Sequence, residues 1–191
     1  MNPRSAYAQG SEPCPFDLAR EPPLTDNKQL FHYNFMIKIE FIDLKDIEDL
    51  SKLAIKFLTE PKVSDNKILH NDINRKYWIE LAGNVLARDR RSIMVAKDDG
   101  RIVGYIMFNL NASDPFKVKE KWCYVSDIYV LPDYRKKGIG SMLLRAVEEL
   151  AKKEGIKSIR LIVWRDNEEG IKFYKSLNFK EVGYLMEKDI D

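Results

Sequence analysis

The chain has 191 residues, 32 of them basic and 30 acidic, for a net charge of +2; that is one domain of ordinary size, and two full domains would be cramped. So balanced a charge excludes a nucleic-acid binder that relies on a broad positive field, and no apolar run reaches the roughly 18 residues that span a bilayer. The two cysteines, Cys14 and Cys123, match no metal or redox spacing, and the N-terminus lacks the apolar core of a secretory signal, so the expectation is a cytoplasmic protein in a reducing compartment, with no membrane partner.

Residues 1–35 hold five of the eight prolines and no sustained period, which predicts a flexible arm unable to offset its ordering entropy. Within it, "LFHYNF" (30–35) offers aromatics that pin the arm to the domain or to a partner. From Met36 to Asp191 the pattern reads as a single domain. "MIKIEFI" alternates as a strand does. Asp43 stands where an N-cap belongs, before a helix with Leu44, Ile47, Leu50, Leu53, Ala54 and Phe57 on one side. "INRKYWIELAGNVLARD" reads as a second helix with Trp78, Leu81 and Val85 inward. "SIMVAK" and "RIVGYIMFNL" flank "DDG", a hairpin signal because Asp-Gly suits a turn of positive φ. "KWCYVSDIYV" is the fourth strand. A helix from about Gly138 to Lys153 turns Ile139, Leu143, Ala146, Val147 and Leu150 inward. "SIRLIVW" reads as a buried strand, "DNEEGIKFYKSL" as a short helix and "FKEVGYLMEKDI" as a closing strand. Strands and helices in this order imply a mixed sheet in an α/β or α+β domain.

The stretch "VLPDYRKKGIGSMLL" (130–144) carries the first chemical signal. A strand ends at Pro132, three bases follow (Arg135, Lys136, Lys137), then Gly138 and Gly140 open an amphipathic helix. Unpaired N–H groups at a helix start attract phosphate, and Arg135 can fork onto its oxygens while the lysines act as point charges. The parts suit a diphosphate. A Walker loop is ruled out, since no lysine follows Gly140, and a dinucleotide fingerprint fails because position 143 is leucine. An ordinary βα turn with a solvated basic flank fits the same residues.

The strand, Pro132 and "RKKGIG" before a helix resemble the acyl-CoA signature of the GNAT superfamily of N-acetyltransferases, Arg/Gln-x-x-Gly-x-Gly/Ala. Further along, "NEEGIKFYKSLNF" is similar to that family's Asn-x-x-Ala-x-x-x-Tyr motif and its following Gly-Phe pair. Asn167 and Tyr174 align, Gly170 replaces the alanine, and Asn178-Phe179 replaces Gly-Phe. The resemblance covers roughly residues 36–188. It implies a mixed, mostly antiparallel sheet of six to seven strands flanked by about four helices, splayed between the fourth and fifth strands, with acetyl-CoA as cosubstrate and no metal. It further implies that backbone N–H groups of Lys136, Lys137, Gly138, Ile139, Gly140 and Ser141 hold the pyrophosphate. The strand at Ile128, Tyr129 and Val130 would pair with pantetheine, and Arg135, Asn167 and Tyr174 would complete the coenzyme site.

Acetyl transfer from a thioester to an amine asks for three things: an amine without its proton, a stabilised oxyanion and a protonated leaving thiolate. A lysine-like amine is neutral in only about one molecule in 2500 at pH 7, so a carboxylate acting directly or through water assists. Asp127 is the candidate base, on the opposite strand face from Ile128 and Val130 unless a bulge intervenes; a rim aspartate paired with a lysine is the competing reading. Tyr174 is the candidate acid toward the CoA sulfur, against a core tyrosine three residues from Ile171 and Leu177. The resemblance puts the oxyanion at a backbone N–H near Val130. Cys123 reads as a core residue rather than a nucleophile, because His32 and His70 are remote in sequence. Tyr77 and Trp78 are candidates to line the acceptor pocket, although helical spacing favours the core for Trp78.

Within the resemblance, the acceptor is a primary amine of a polyamine-like small molecule or of a peptide, attacked directly in a ternary complex. A protein N-terminal or lysine acetyltransferase stands as the alternative, as does a non-catalytic acyl-CoA-sensing module. Asp65, Asp72, Glu80 and Asp114 are candidate acceptor carboxylates. Edge strands in this fold pair between subunits, so a homodimer is the expected assembly.

Overall fold

The computed structural model describes residues 37–60, 72–113 and 121–184, together with 186, 188 and 190. The N-terminal arm, Met36, Cys14, His32, His70, Asp65 and Asp114 lie outside the described residues. So does the Asp72 side chain.

Alternation at the start of the domain gives β1 (Lys38–Phe41). The Asp43 carboxylate then accepts from the Lys45 N–H at 3.2 Å and caps a short 3₁₀ turn, after which α1 runs Ile47–Leu58. Its buried stripe is Leu50, Leu53 and Ala54, whereas Leu44 is exposed. Helix α2 (Asp72–Arg88) buries Trp78, Ala82 and Leu86 at i, i+4 and i+8. Leu81 is therefore exposed, contrary to the inward position its spacing predicts; it lies a quarter turn off the stripe that Ala82 fills.

Strands β2 (Ile93–Asp98) and β3 (Arg101–Ser113) form the expected hairpin. Asp99 and Gly100 both have positive φ (45° and 79°), the pair of left-handed residues a two-residue turn of this twist requires. Strand β4 (Lys121–Val130) has the bounds read from sequence. The remaining elements are α3 (Ile139–Lys153), β5 (Ile159–Leu161) and α4 (Glu168–Ser176). The sheet order is β1-β2-β3-β4-β5, antiparallel except for the parallel pair β4–β5.

Five strands stand among the described residues, one or two fewer than expected. The closing segment 179–184 forms no regular element and makes no ladder, with Val182 and Tyr184 exposed. The buried strand read in "SIRLIVW" is likewise reduced to three half-buried residues, and Ile162 and Trp164 face solvent. Both differences have one cause: β5 has a neighbour on a single side, so its outer residues gain no cover.

Helix α3 buries Ile139, Leu143, Ala146 and Val147 as expected and packs against β1 to β4. The single core holds Tyr105, Phe108, Ile106, Val103 and Cys123 at its centre. Among the described residues, no helix is long and apolar enough to cross a membrane.

Candidate active site

The site starts where β4 and β5 part. Of β4, Cys123, Tyr124 and Val125 pair with β5, so residues 126–130 have no strand partner on that side among the described residues. At the same point β4 carries an extra residue: Met107 faces Asp127 while Phe108 faces Val125, leaving Ser126 unpaired as a bulge whose hydroxyl donates to the Met107 carbonyl at 3.2 Å. Paired residues of adjacent strands share a face. Asp127 and Tyr129 therefore stand with Met107 and Tyr105, while Val125, Ile128 and Val130 stand with Phe108, Ile106 and Gly104. The bulge lies before Asp127, so the alternation expected beyond it holds.

The face carrying Tyr105 and Tyr129 is covered by α1 and α2. The Phe57 ring meets Tyr105 edge-on at 6.4 Å and Tyr129 at 5.7 Å, and Trp78 meets Tyr105 at 6.1 Å. Trp78 is thus buried in the packing, while Tyr77 is 72% exposed and Glu80 is an exposed carboxylate on α2.

Beyond β4, Pro132–Tyr134 forms a 3₁₀ turn and the chain reaches Gly138, the N-cap of α3, at φ 83°. Glycine occupies that left-handed region without strain; Lys136 also has positive φ, 61°. No side chain caps α3 and no acidic residue sits in its first turn, so the N–H groups of Ile139, Gly140 and Ser141 are left without helical acceptors. The basic side chains do not all face this turn. Arg135 donates to the Val130 carbonyl at 2.9 Å and ion-pairs with Glu60 at the end of α1. Lys137 lies over the Tyr134 ring at 5.2 Å. The Arg135 guanidinium thus forks onto Glu60 and the end of β4.

Helix α4 is locked at both ends. Asn167 is its N-cap, its side-chain oxygen accepting from the Gly170 N–H at 2.9 Å. A Cβ on Gly170 would lie 2.7 Å from the side-chain amide of Asn167, so an alanine there would require the Asn167 side chain to shift. At the C-terminus Asn178 adopts φ 65°, Asn178 N–H donates to Lys175 and Phe179 N–H to Tyr174 at 3.1 Å each. This is the Schellman pattern, and its apolar contact is the Tyr174–Phe179 ring pair at 5.6 Å. Phe173 flanks Tyr174 on the other side at 5.2 Å.

Asp127 and Tyr174 come together here. Burial pushes the Asp127 carboxyl up to about 6, against a single bond from the Ser126 hydroxyl at 3.3 Å that lowers it. Tyr174 is pushed up to about 12, first by burial and then by the charge of Asp127. Tyr129 donates to Glu60 at 3.1 Å and is raised to about 12 by burial and by that carboxylate. At neutral pH the arrangement offers a carboxylate able to take a proton beside a phenol that keeps one. Cys123 is fully buried and its thiol is pushed up to about 12 by burial; it stays a thiol and belongs to the core. Glu60 has no local sequence signal, because its partners lie 69 and 75 residues away.

A profile of the acetyltransferase (GNAT) family matches residues 49–179. A spermidine N(1)-acetyltransferase of Thermoplasma acidophilum is 27% identical over 150 residues, which cover 75% of this chain and 88% of that protein. An uncharacterized N-acetyltransferase of Methanocaldococcus jannaschii is 33% identical over 97 residues and one of Archaeoglobus fulgidus is 32% identical over 96. The chain spans 42% and 65% of the length of those two. Among solved structures, a paia N-acetyltransferase of Thermoplasma acidophilum in complex with coenzyme A superposes with a TM-score of 0.59 at 27% identity, over 75% of this chain and 89% of that one. An aminoglycoside N-acetyltransferase in complex with CoA reaches 0.65 at 17% identity, over 84% and 99%, a likeness of fold. A sheet opened at β4–β5, a glycine turn leading into α3 and a family profile spanning more than half of the sequence agree: the chain belongs to the acetyltransferase (GNAT) family.

Proposed function

We propose that this protein transfers the acetyl group of acetyl-CoA to a primary amine of a small, polyamine-like molecule. The observation that carries the reading is the placement of Asp127 and Tyr174 in one electrostatic neighbourhood beside the unpaired edge of β4. The spermidine acetyltransferase, matched over most of both chains, supports the acceptor class.

The residues fit the coenzyme. Gly138 at positive φ has nothing within 4 Å of where a Cβ would stand, and the uncapped first turn of α3 suits a diphosphate. Lys136, Lys137, Gly138, Ile139, Gly140 and Ser141 would hold it, and the free edge of Ile128 to Val130 would pair with amides of the pantetheine arm. Bound there, acetyl-CoA supplies an activated acyl thioester. Asp127 takes a proton from the acceptor ammonium, directly or through water. Tyr174, protonated at every physiological pH, gives its proton to the departing sulfur and is restored by the second proton that the attacked nitrogen sheds as it becomes an amide. Phe57 and Trp78 pack against the Tyr105 ring and support the strand face that carries Asp127.

The test is coenzyme A release from acetyl-CoA by the full chain, against spermidine, thialysine, an aminoglycoside and short peptides. Turnover with spermidine is the expected result. Turnover with peptides alone would move the assignment to a protein acetyltransferase, and tight acetyl-CoA binding without any turnover would favour a sensing module.

A further inference from the structure

Tyr105 stands at the middle of β3 with no exposed surface, and its hydroxyl is a buried side-chain polar atom without a hydrogen-bond partner among the described residues. Such a group costs about 1–3 kcal/mol where nothing receives its proton, so its position asks for a reason. The ring cannot swing to find a partner. Phe57 from α1 and Trp78 from α2 meet it edge-on, at 86° and 80°.

The register says what lies in front of it. Tyr105 is directly opposite Tyr129, and Met107 is directly opposite Asp127. Tyr105 and Asp127 are therefore diagonal neighbours on one face of an antiparallel pair, about 7–8 Å apart along the backbone and within reach of an aromatic side chain. Asp127 in turn is poorly served, with one bond from Ser126 at 3.3 Å for a carboxylate that can accept several. A fixed donor without an acceptor and a half-buried acceptor short of donors share one face.

We infer that the Tyr105 hydroxyl donates to the Asp127 carboxylate through a single buried water, making Tyr105 the positioning residue that holds Asp127 ionised. A bridging water between two polar groups too far apart to touch is nearly as favourable as a direct bond. The charge of Asp127 already acts on the Tyr105 phenol, as does Tyr129. The other groups facing Asp127 are Ser126 and Tyr129 on β4 and Tyr174 on α4, with Glu60 and Arg135 behind Tyr129. None of these gives it a second hydrogen bond. The inference rests on the acetyl-transfer reading only where it makes Asp127 a base; the contact itself does not depend on it.

The experiment is a pH titration of ¹³C-carboxyl aspartate resonances in the full chain, for wild type, Tyr105→Phe and Asp127→Asn. Asp127→Asn identifies the signal. The Asp127 midpoint is expected about one unit higher in Tyr105→Phe than in wild type, with an unchanged far-ultraviolet circular dichroism spectrum and a cooperative thermal melt. A purely structural tyrosine would leave the midpoint where it is, and that result overturns the proposal. Activity of Asp127→Asn separates the two claims. Wild-type turnover of spermidine by that variant sinks the role of base, while the shifted midpoint in Tyr105→Phe would still support the hydroxyl–carboxylate contact.

Discussion

Arg135, the first residue of the basic turn, is ion-paired to Glu60, the residue just past the end of α1, and so ties the entrance of α3 to the helix that covers the opposite strand face. The pair is partly exposed, at 37% and 28%, which limits the charge contribution to about 1 kcal/mol. Arg135 also holds the Val130 carbonyl at 2.9 Å and lies over the Tyr129 ring at 5.3 Å. Urea unfolding should therefore show Arg135→Ala losing about 2 kcal/mol and Glu60→Gln about 1 kcal/mol. Equal losses would mean that the strand-end contacts contribute nothing.

Tyr174→Phe keeps the ring contacts to Phe173 and Phe179 and removes only the proton donor. The expected outcome is a fall in kcat of about 10²-fold with acetyl-CoA affinity unchanged, read by steady-state kinetics beside calorimetric titration. Unchanged turnover sinks Tyr174 as the acid.

Asp127 couples activity to stability in opposite directions. Its carboxyl rises from the ordinary 3.8 to about 6 on folding, so between those values the folded chain binds more protons than the unfolded one, and stability falls as pH rises through that window. Asp127→Asn removes this cost. At pH 7 it should gain about 1–3 kcal/mol while losing most turnover, and wild-type kcat/KM should decline below pH about 6 as the base protonates. Thermal melts at pH 4 and pH 7 check the first statement, since the gain should vanish at the lower pH.

Asn178 ends α4 at φ 65°, where glycine carries no side-chain penalty. Asn178→Gly should raise stability by about 0.5–1 kcal/mol with kcat unchanged. A melting temperature below wild type would show that the asparagine side chain contributes a contact of its own.

Elements whose reason is local were readable in the residues. The bounds of β4, the Asp99-Gly100 turn, the Asp43 cap and the left-handed Asn178 each follow from the conformational preference of a few neighbours. The fold family and the candidacy of Tyr174 came from motif spacing, while Asp127 was singled out by its place on the fourth strand. What the spacing missed depends on partners distant in the chain. The alternation Val182, Tyr184, Met186 reads as a strand, yet pairing also needs a free neighbour in register, and β5 pairs over only three residues. Leu81 and Ala82 compete for one helix face, and it is Ala82 that turns inward with Trp78 and Leu86. Glu60 and the destination of Arg135 emerge only when α1 and the glycine turn are brought side by side.

The Ser126 bulge immediately follows Val125, the last β4 residue that pairs with β5. An extra residue bends a strand and sharpens its twist, so the parting of the two strands is written into the length of β4. A ligand entering there meets an edge whose backbone groups are already released from the ladder, and breaks no sheet hydrogen bonds to reach them. Affinity at this edge is thus preorganised: the ordering cost is met during folding, and association is left close to a rigid-body event.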